Sequence, residues 1–231
     1  MFRFKQFSVS QEKSAMKVGT DGVLLGAWSP VKKANNVLDI GTGTGLIALM
    51  LAQRNLEAKI DAIEIEENAF KEAQLNFINT LWSSRLNVFN TSLQSFKNDV
   101  QYDLIVSNPP YYTDTYQNEA AERTLARHVD NLSFQDLLYY TSFMLKDNGI
   151  CTFIIPYVEE QNFINLAKDQ GLFISKITRV KGRVELPFKR SLLCFTKELT
   201  GCLEDELVIE IDRHVYTQEY IQLTESFYLK M

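Results

Sequence analysis

Histidine and cysteine are scarce in this chain: two histidines, His128 and His214, and three cysteines, Cys151, Cys194 and Cys202, in 231 residues. The histidines stand far apart, with no metal-type spacing to each other or to a cysteine, which argues against a metal centre. Three cysteines at scattered spacings do not make a disulfide framework. All three read as reduced core residues, Cys151 and Cys194 inside apolar strand-like runs. No apolar stretch approaches the roughly 20 residues of a membrane span, and Met1 to Phe7 alternates charge with aromatic rings where an export signal would be apolar. A cytosolic location is therefore expected. Positive charge is not in excess either, since the formal net charge is -5, and this excludes coating nucleic acid through diffuse positive potential. Basic residues gather only locally, at Arg123, Arg127 and His128 and again at Lys176, Arg179, Lys181, Arg183, Lys189 and Arg190. Repeats, low-complexity tracts and Pro/Gly-rich linkers are absent. With 45% hydrophobic residues, residues 1–231 fit one globular domain, read as a monomer.

From Asn36 onward, short apolar runs alternate with helix-length amphipathic stretches, the pattern of a doubly wound parallel α/β sheet. Strands are expected at Val37 to Ile40, Lys59 to Ile65, Leu86 to Asn90, Tyr102 to Ser107 and Ile150 to Pro156. Helices are expected at Leu46 to Gln53, Glu67 to Asn79, from a Ser133 cap to about Leu145, and at Glu159 to Asp169. Ala69, Ala73 and Phe77 mark the buried stripe of the second helix, and Leu137, Leu138 and Phe143 that of the third. The rhythm then changes. Leu172 to Val180, Ser191 to Glu198 and Glu206 to Ile211 read as strands without helices between them, so a mostly parallel sheet of seven to eight strands should finish in an antiparallel C-terminal edge. Tyr216 to Tyr228 reads as a closing helix, and Thr20 or Asp21 starts a helix through Trp28.

Two motifs carry chemistry. Asp39-Ile40-Gly41-Thr42-Gly43-Thr44-Gly45 follows a strand and opens a helix, where an open α/β sheet binds nucleotide-like ligands. Leu46 stands where the dinucleotide pattern needs its third glycine, and no Gly-Lys-Ser/Thr follows for a phosphate loop. Glu64 ends the second strand, the place of the carboxylate that bonds ribose hydroxyls in nucleotide folds; Glu66 and Glu67 suit the first turn of the next helix. The fourth strand runs directly into Asn108-Pro109-Pro110-Tyr111, whose prolines fix φ and stiffen the loop.

The glycine loop resembles the first motif of the class I methyltransferases, which have a Rossmann-like fold and use S-adenosyl-L-methionine. That resemblance implies that Gly41, Gly43 and Gly45 hold the amino acid end of the cofactor, with Asp39 on its ammonium and Glu64 on its ribose. Asn-Pro-Pro-Tyr resembles the loop of amino-methyltransferases acting on planar nitrogens. An adenine N6 lone pair is delocalised into the ring, so two acceptors that favour pyramidal geometry are needed to make it nucleophilic. The Asn108 side-chain oxygen and the Pro109 carbonyl suit that role, with Asn108 also facing the cofactor and Tyr111 offering a stacking face. The sulfonium methyl is already activated, so neither metal nor covalent intermediate is required. Lys17 to Trp28, Ala126-Arg127-His128 and Lys189 to Leu193 extend the likeness over almost the whole chain, to the bacterial valine-tRNA adenine-N6 methyltransferases, which modify the adenine beside the anticodon (position 37). This implies a tRNA substrate, an N-terminal segment 1–30 closing over the cofactor through Lys17, Thr20 and Asp21, and RNA contacts at Arg123, Arg127, His128, Arg183, Lys189 and Arg190. One departure stands out: such enzymes usually carry an acid after strand three, whereas this chain reads Asn90-Thr91-Ser92-Leu93, leaving Ser92 as the candidate contact to the cofactor's adenine. The competing substrates are a protein glutamine, whose side-chain amide is also a planar nitrogen, and adenines of rRNA or DNA. A non-catalytic binding module is disfavoured by the presence of both motifs.

Overall fold

The computed structural model describes residues 1–14, 16–110 and 132–230. A short hairpin of β1 (Phe2–Arg3) and β2 (Ser8–Val9) leads to α1 (Thr20–Trp28). There follow β3 (Asn36–Ile40), α2 (Leu46–Arg54), β4 (Lys59–Glu64), α3 (Glu67–Ile78), β5 (Leu86–Asn90) and β6 (Tyr102–Ser107). The chain continues through α4 (Phe134–Met144), β7 (Leu145–Pro156), α5 (Glu160–Asp169), β8 (Phe173–Lys181), β9 (Arg190–Thr196) and β10 (Leu203–Val208). It ends in β11 (Glu210–Asp212), β12 (Val215–Tyr216) and α6 (Gln218–Thr224).

Eight strands form one sheet in the order β10-β8-β9-β7-β6-β3-β4-β5. Its centre is parallel and apolar on both faces, as strands covered by helices on each side must be. One core packs α1, α2, Phe77 of α3 and Tyr220 of α6 on one face; the other packs Leu137, Leu138 and Phe163 of α4 and α5 on the opposite face. α1 and α2 approach closely at Gly26, where an added Cβ would lie 2.7 Å from the Met50 sulfur, so only glycine permits that contact. The strand order reverses around β3: β4 and β5 lie to one side, β6 and β7 to the other. The loops after β3 and β6 therefore splay apart and leave a crevice at the C-terminal edge of the sheet, where open α/β sheets bind ligands.

The expected antiparallel stretch is present in β9, which opposes both β7 and β8. The outermost strand, however, runs parallel to its neighbour: β10 pairs in parallel with β8. The reason is occupancy, since β9 is flanked on both sides, so the next strand passes β8 and adds outside it, in β8's direction. Phe143 is not core but 76% exposed. The buried positions of α4 are Leu137, Leu138, Thr141 and Met144, a stripe at helical spacing that leaves Phe143 on the other side. Cys151 and Cys194 are buried, but Cys202 is exposed. β7 begins five residues before the expected Ile150, because Leu145 already pairs with Tyr102. The closing helix is shorter than expected, and the N-terminal aromatics pack in a cluster of Phe2, Phe4, Phe7, Trp82 and Tyr228.

Candidate active site

β3 ends on a left-handed turn. Gly41, Gly43 and Gly45 have φ of 69°, 57° and 85°, a region that costs residues with a Cβ but not glycine. Gly45 has a second reason, because a Cβ there would stand 2.5 Å from the Phe77 ring of α3. Asp39, at the base of this turn, is fully buried. Its Oδ2 accepts the Thr42 hydroxyl at 2.6 Å and the Ala48 amide at 3.1 Å. Its Oδ1 has no partner among the described residues, and a buried carboxylate oxygen left unpaired is costly unless a ligand donates to it. Burial pushes the Asp39 carboxyl up to about 7, against the lowering pull of Thr42 and Ala48, with Glu64 nearby adding to the rise.

Glu64 is held by amides from two loops: Gly43 N donates to Oε2 at 2.8 Å and Glu66 N to Oε1 at 2.9 Å. Glu66 itself is the N-cap of α3, accepting from Asn68 N and Ala69 N, and Glu67 pairs with Lys71. Two clefts meet at this edge. One, of about 300 Å³, is lined by Lys17, Thr20, Asp21 and the glycine loop. The other, of about 290 Å³, is lined by Glu64, Ile65, Ser92 and Leu93. Met16, Gly41, Gly43 and Asn108 line both.

Met16, in the lining of both clefts, belongs to a strap over residues 10–14 and 16–17, whose fastening no sequence motif announces. Lys17 lines the first cleft, and its ammonium donates to the backbone carbonyls of Gln11, Glu12 and Ser14. From α3, buried Asn76 accepts Ser10 N at 2.7 Å and donates to the Ser10 carbonyl at 3.0 Å and the Thr44 carbonyl at 2.8 Å, which joins strap to glycine loop. Buried Glu72 accepts Lys13 N at 2.7 Å and Ser14 N at 3.0 Å. Burial raises the Glu72 carboxyl, but these amides outweigh it and leave it below the ordinary value. A depressed folded value means that the clasp is intact at neutral pH and is lost as pH falls through that value. Glu72→Ala should strand these amides at a cost on the order of 1–3 kcal/mol. Amide hydrogen exchange at Lys13 and Ser14 should then speed up while exchange in β3 and β6 stays at the wild-type rate; equal protection of the strap amides in the variant would show that Glu72 does not hold them.

β6 delivers Asn108 and the buried Pro109 to the same edge. The Ser107 hydroxyl donates to the Ile40 carbonyl at 2.8 Å and pins the tip of β6 to the tip of β3, so the Asn-Pro loop and the glycine loop are set relative to each other by a buried bond. Ser107, Glu72 and Asn76 are ordinary polar residues in the sequence, and no motif marks them. Tyr111, Arg123, Arg127 and His128 lie outside the described residues.

The late cations do not form one open patch. Lys176 pairs with Asp205, Arg179 with Glu160 and Glu204, and Lys181 with Glu206, which laces β8 to β10 and α5. Arg183 lies 3.6 Å from Glu185. Arg190 meets Asp21 at 2.7 Å, which ties the start of β9 to α1 at the edge of the first cleft. Lys189 is exposed. Among the described residues no group of His, Cys, Asp or Glu is arranged to hold a metal, and no helix is long and apolar enough to cross a membrane.

The fold, with its glycine turn and Asn-Pro loop meeting at the switch point, defines a class I methyltransferase, and the family model described as methyltransferase small domain matches residues 14–135. Solved structures share the fold: an Agrobacterium tumefaciens protein predicted to be an O-methyltransferase has a TM-score of 0.70 at 17% identity, covering 90% of this chain and 96% of that one. A methyltransferase from Pyrococcus furiosus has a TM-score of 0.59 at 21% identity, covering 84% and 90%. The chain belongs to the family of the tRNA1(Val) (adenine(37)-N6)-methyltransferases. It is 53% identical to the Flavobacterium psychrophilum enzyme over 100% of both chains, and 47% identical to a Bacteroides fragilis one over 100% of this chain and 98% of the relative.

Proposed function

We propose that this protein transfers the methyl group of S-adenosyl-L-methionine to N6 of adenine 37 in valine tRNA. The observation that carries the reading is the meeting of two clefts at Gly41, Gly43 and Asn108. A ligand with an amino acid end and an adenosine end fits a bipartite site of this kind, and its centre falls beside the Asn-Pro loop. The Oδ1 of Asp39, without a partner among the described residues, lies beneath the glycine loop and suits the ammonium directly or through water, and Glu64, held by two amides, presents remaining lone pairs to a ribose diol. Ser92 lines the adenosine side, which supports it as the contact to that ring. Thr20 and the strap close the amino acid side, in keeping with residues 1–30 as part of a single domain over 1–231. The cofactor supplies a methyl group on sulfonium. The chain's own work is positioning: Asn108 and the Pro109 carbonyl accept the two amine hydrogens, and Tyr111 provides a face for the flipped base. Arg123, Arg127, His128, Arg183, Lys189 and Arg190 are proposed along the RNA path. The names of full-length relatives support the choice of tRNA over protein glutamine. Incubation with labelled cofactor and total tRNA, rRNA, DNA or protein should label valine tRNA as N6-methyladenosine at position 37; label in protein glutamine instead would overturn the proposal.

Asp39 gives this reading a pH signature. It ionises near 7 in the fold against an ordinary 3.8, so between these values the folded state binds more protons than the unfolded state. The contribution of Asp39 to the stability of the ligand-free protein therefore falls as pH rises across that window and levels off above it, opposite in sign to that of Glu72. A cationic ammonium needs the ionised form, so affinity for S-adenosylhomocysteine should rise by up to about tenfold per pH unit below 7 and then flatten. Calorimetry over that range checks this, and Asp39→Asn should bind weakly with no slope.

A further inference from the structure

The ligand edge of the sheet carries an exposed aromatic and aliphatic surface that the methyl transfer itself does not use. β7 ends at Pro156, and the next residues, Tyr157 and Val158, meet the hairpin that joins β8 to β9. The Tyr157 and Phe188 rings lie 5.3 Å apart with planes at 51°. The hairpin backbone is fixed beneath them, with Tyr157 N donating to the Lys189 carbonyl at 3.1 Å and Lys189 N to the Val180 carbonyl at 2.8 Å. Tyr157 is 38% exposed, Val158 79% and Val184 70%. An exposed aromatic pair held rigid from below offers a face on which a flat ring can stack.

Its surroundings select the occupant. The Lys181 ammonium sits 4.9 Å from the centre of the Phe188 ring, Lys189 is exposed beside it, and Arg183 lies in the same hairpin. Lys181 and Arg183 pair with Glu206 and Glu185, whereas among the described residues no carboxylate pairs with exposed Lys189. With Lys181 over the Phe188 ring, the Tyr157 ring beside these cations suits an unpaired nucleotide, whose base stacks while its phosphate meets the positive charge. The surface is also in line with the target. Pro156 pairs with Arg190, whose guanidinium holds Asp21 in the wall of the cleft that Asn108 also lines. Ser107 pairs with Phe153, so β7 runs three residues beyond the level of Ser107, about 10 Å at strand rise, a reach of a few nucleotides along a single strand.

We infer that the Tyr157 ring, backed by Phe188, forms a shelf on which a second loop nucleotide of the RNA, beside the target adenine, stacks while Lys189 meets its phosphate. This rests on the RNA-methylating function proposed above. The shelf gives the enzyme a grip on a single-stranded loop without touching the base that reacts.

The test is single-turnover methyl transfer at saturating cofactor across a range of valine tRNA concentrations. Tyr157→Ala and Phe188→Leu should each raise apparent KM by about tenfold, the scale of one lost base stack. The rate at saturating RNA and the affinity for S-adenosylhomocysteine should stay at wild type, and Tyr157→Phe should restore KM because the ring returns. A second arm uses anticodon stem-loops in which each loop nucleotide other than the target is made abasic in turn. One such position should cost the wild type a comparable factor and cost Tyr157→Ala nothing further. Unchanged KM in both ring variants, or abasic losses that all add in full to the Tyr157→Ala loss, would overturn the shelf while leaving RNA methylation intact. Absence of methyl transfer from the wild type to any RNA would instead overturn the function and the shelf with it.

Discussion

Asn108→Ala should lower the single-turnover rate of methyl transfer by about 10²–10³-fold, the scale of one lost transition-state acceptor or donor. Affinity for S-adenosylhomocysteine should fall far less than the rate, even though Asn108 lines both clefts. The argument is differential: the amide oxygen matters most as the amine turns tetrahedral, so its loss raises the barrier more than it weakens either ground-state complex. The surroundings of the side chain should survive, because Ser107 pins β6 to the Ile40 carbonyl through its own hydroxyl and not through Asn108. Tyr111→Ala should behave differently, raising KM for RNA along with a lower rate, while Tyr111→Phe keeps the stacking face and should be mild. The measurement is a burst of labelled methyl transfer to valine tRNA followed by nucleoside analysis. A near-wild-type rate for Asn108→Ala would mean that Asn-Pro-Pro is only a rigid turn.

The second large effect is on stability and separates two glycines in one loop. Gly43→Ala should cost about 1–2 kcal/mol, the penalty of a left-handed residue that carries a Cβ, since φ is 57° and the space is open. Gly45→Ala carries that penalty and also drives a methyl to 2.5 Å from the Phe77 ring. Phe77 is 2% exposed and packed in the core, so it has little room to yield, and overpacking adds about 1–3 kcal/mol. Urea denaturation should therefore give a markedly lower midpoint for Gly45→Ala than for Gly43→Ala, and Phe77→Leu in the Gly45→Ala background should recover part of the difference. Equal midpoints for the two alanine variants would show that the ring moves aside freely.

How much of this was legible beforehand depends on the range of the interaction. Asp39 to Gly45 announced a ligand turn because left-handed backbone needs glycine locally, and Asn108-Pro109-Pro110 announced a stiff loop because proline fixes its own φ. Glu66 was readable as a helix-start acid for the same local reason, and the strand ends that carry these motifs fell within a residue or two of the structure. The fate of Lys17 was not readable. In the sequence it is one cation near a motif, and only folding shows it spending its donors on carbonyls three to six residues away.

Non-local pairing decided the rest. Arg179, Lys181 and Arg190 looked like members of one basic patch, yet each meets a carboxylate brought from another element. Asn76 reaches both Ser10 and Thr44, 66 and 32 residues away, and Tyr157 finds Phe188 across a strand ladder that no local pattern encodes. By itself the sequence determined the class of fold, the turn chemistry and the two loops that carry the reaction, because backbone preference and apolar periodicity act over a few residues. Which charges remain outward, what clasps the strap, and that the edge strand β10 runs parallel to β8 while β9 is reversed were decided by tertiary structure, because each depends on which partner the folded sheet places within hydrogen-bonding reach.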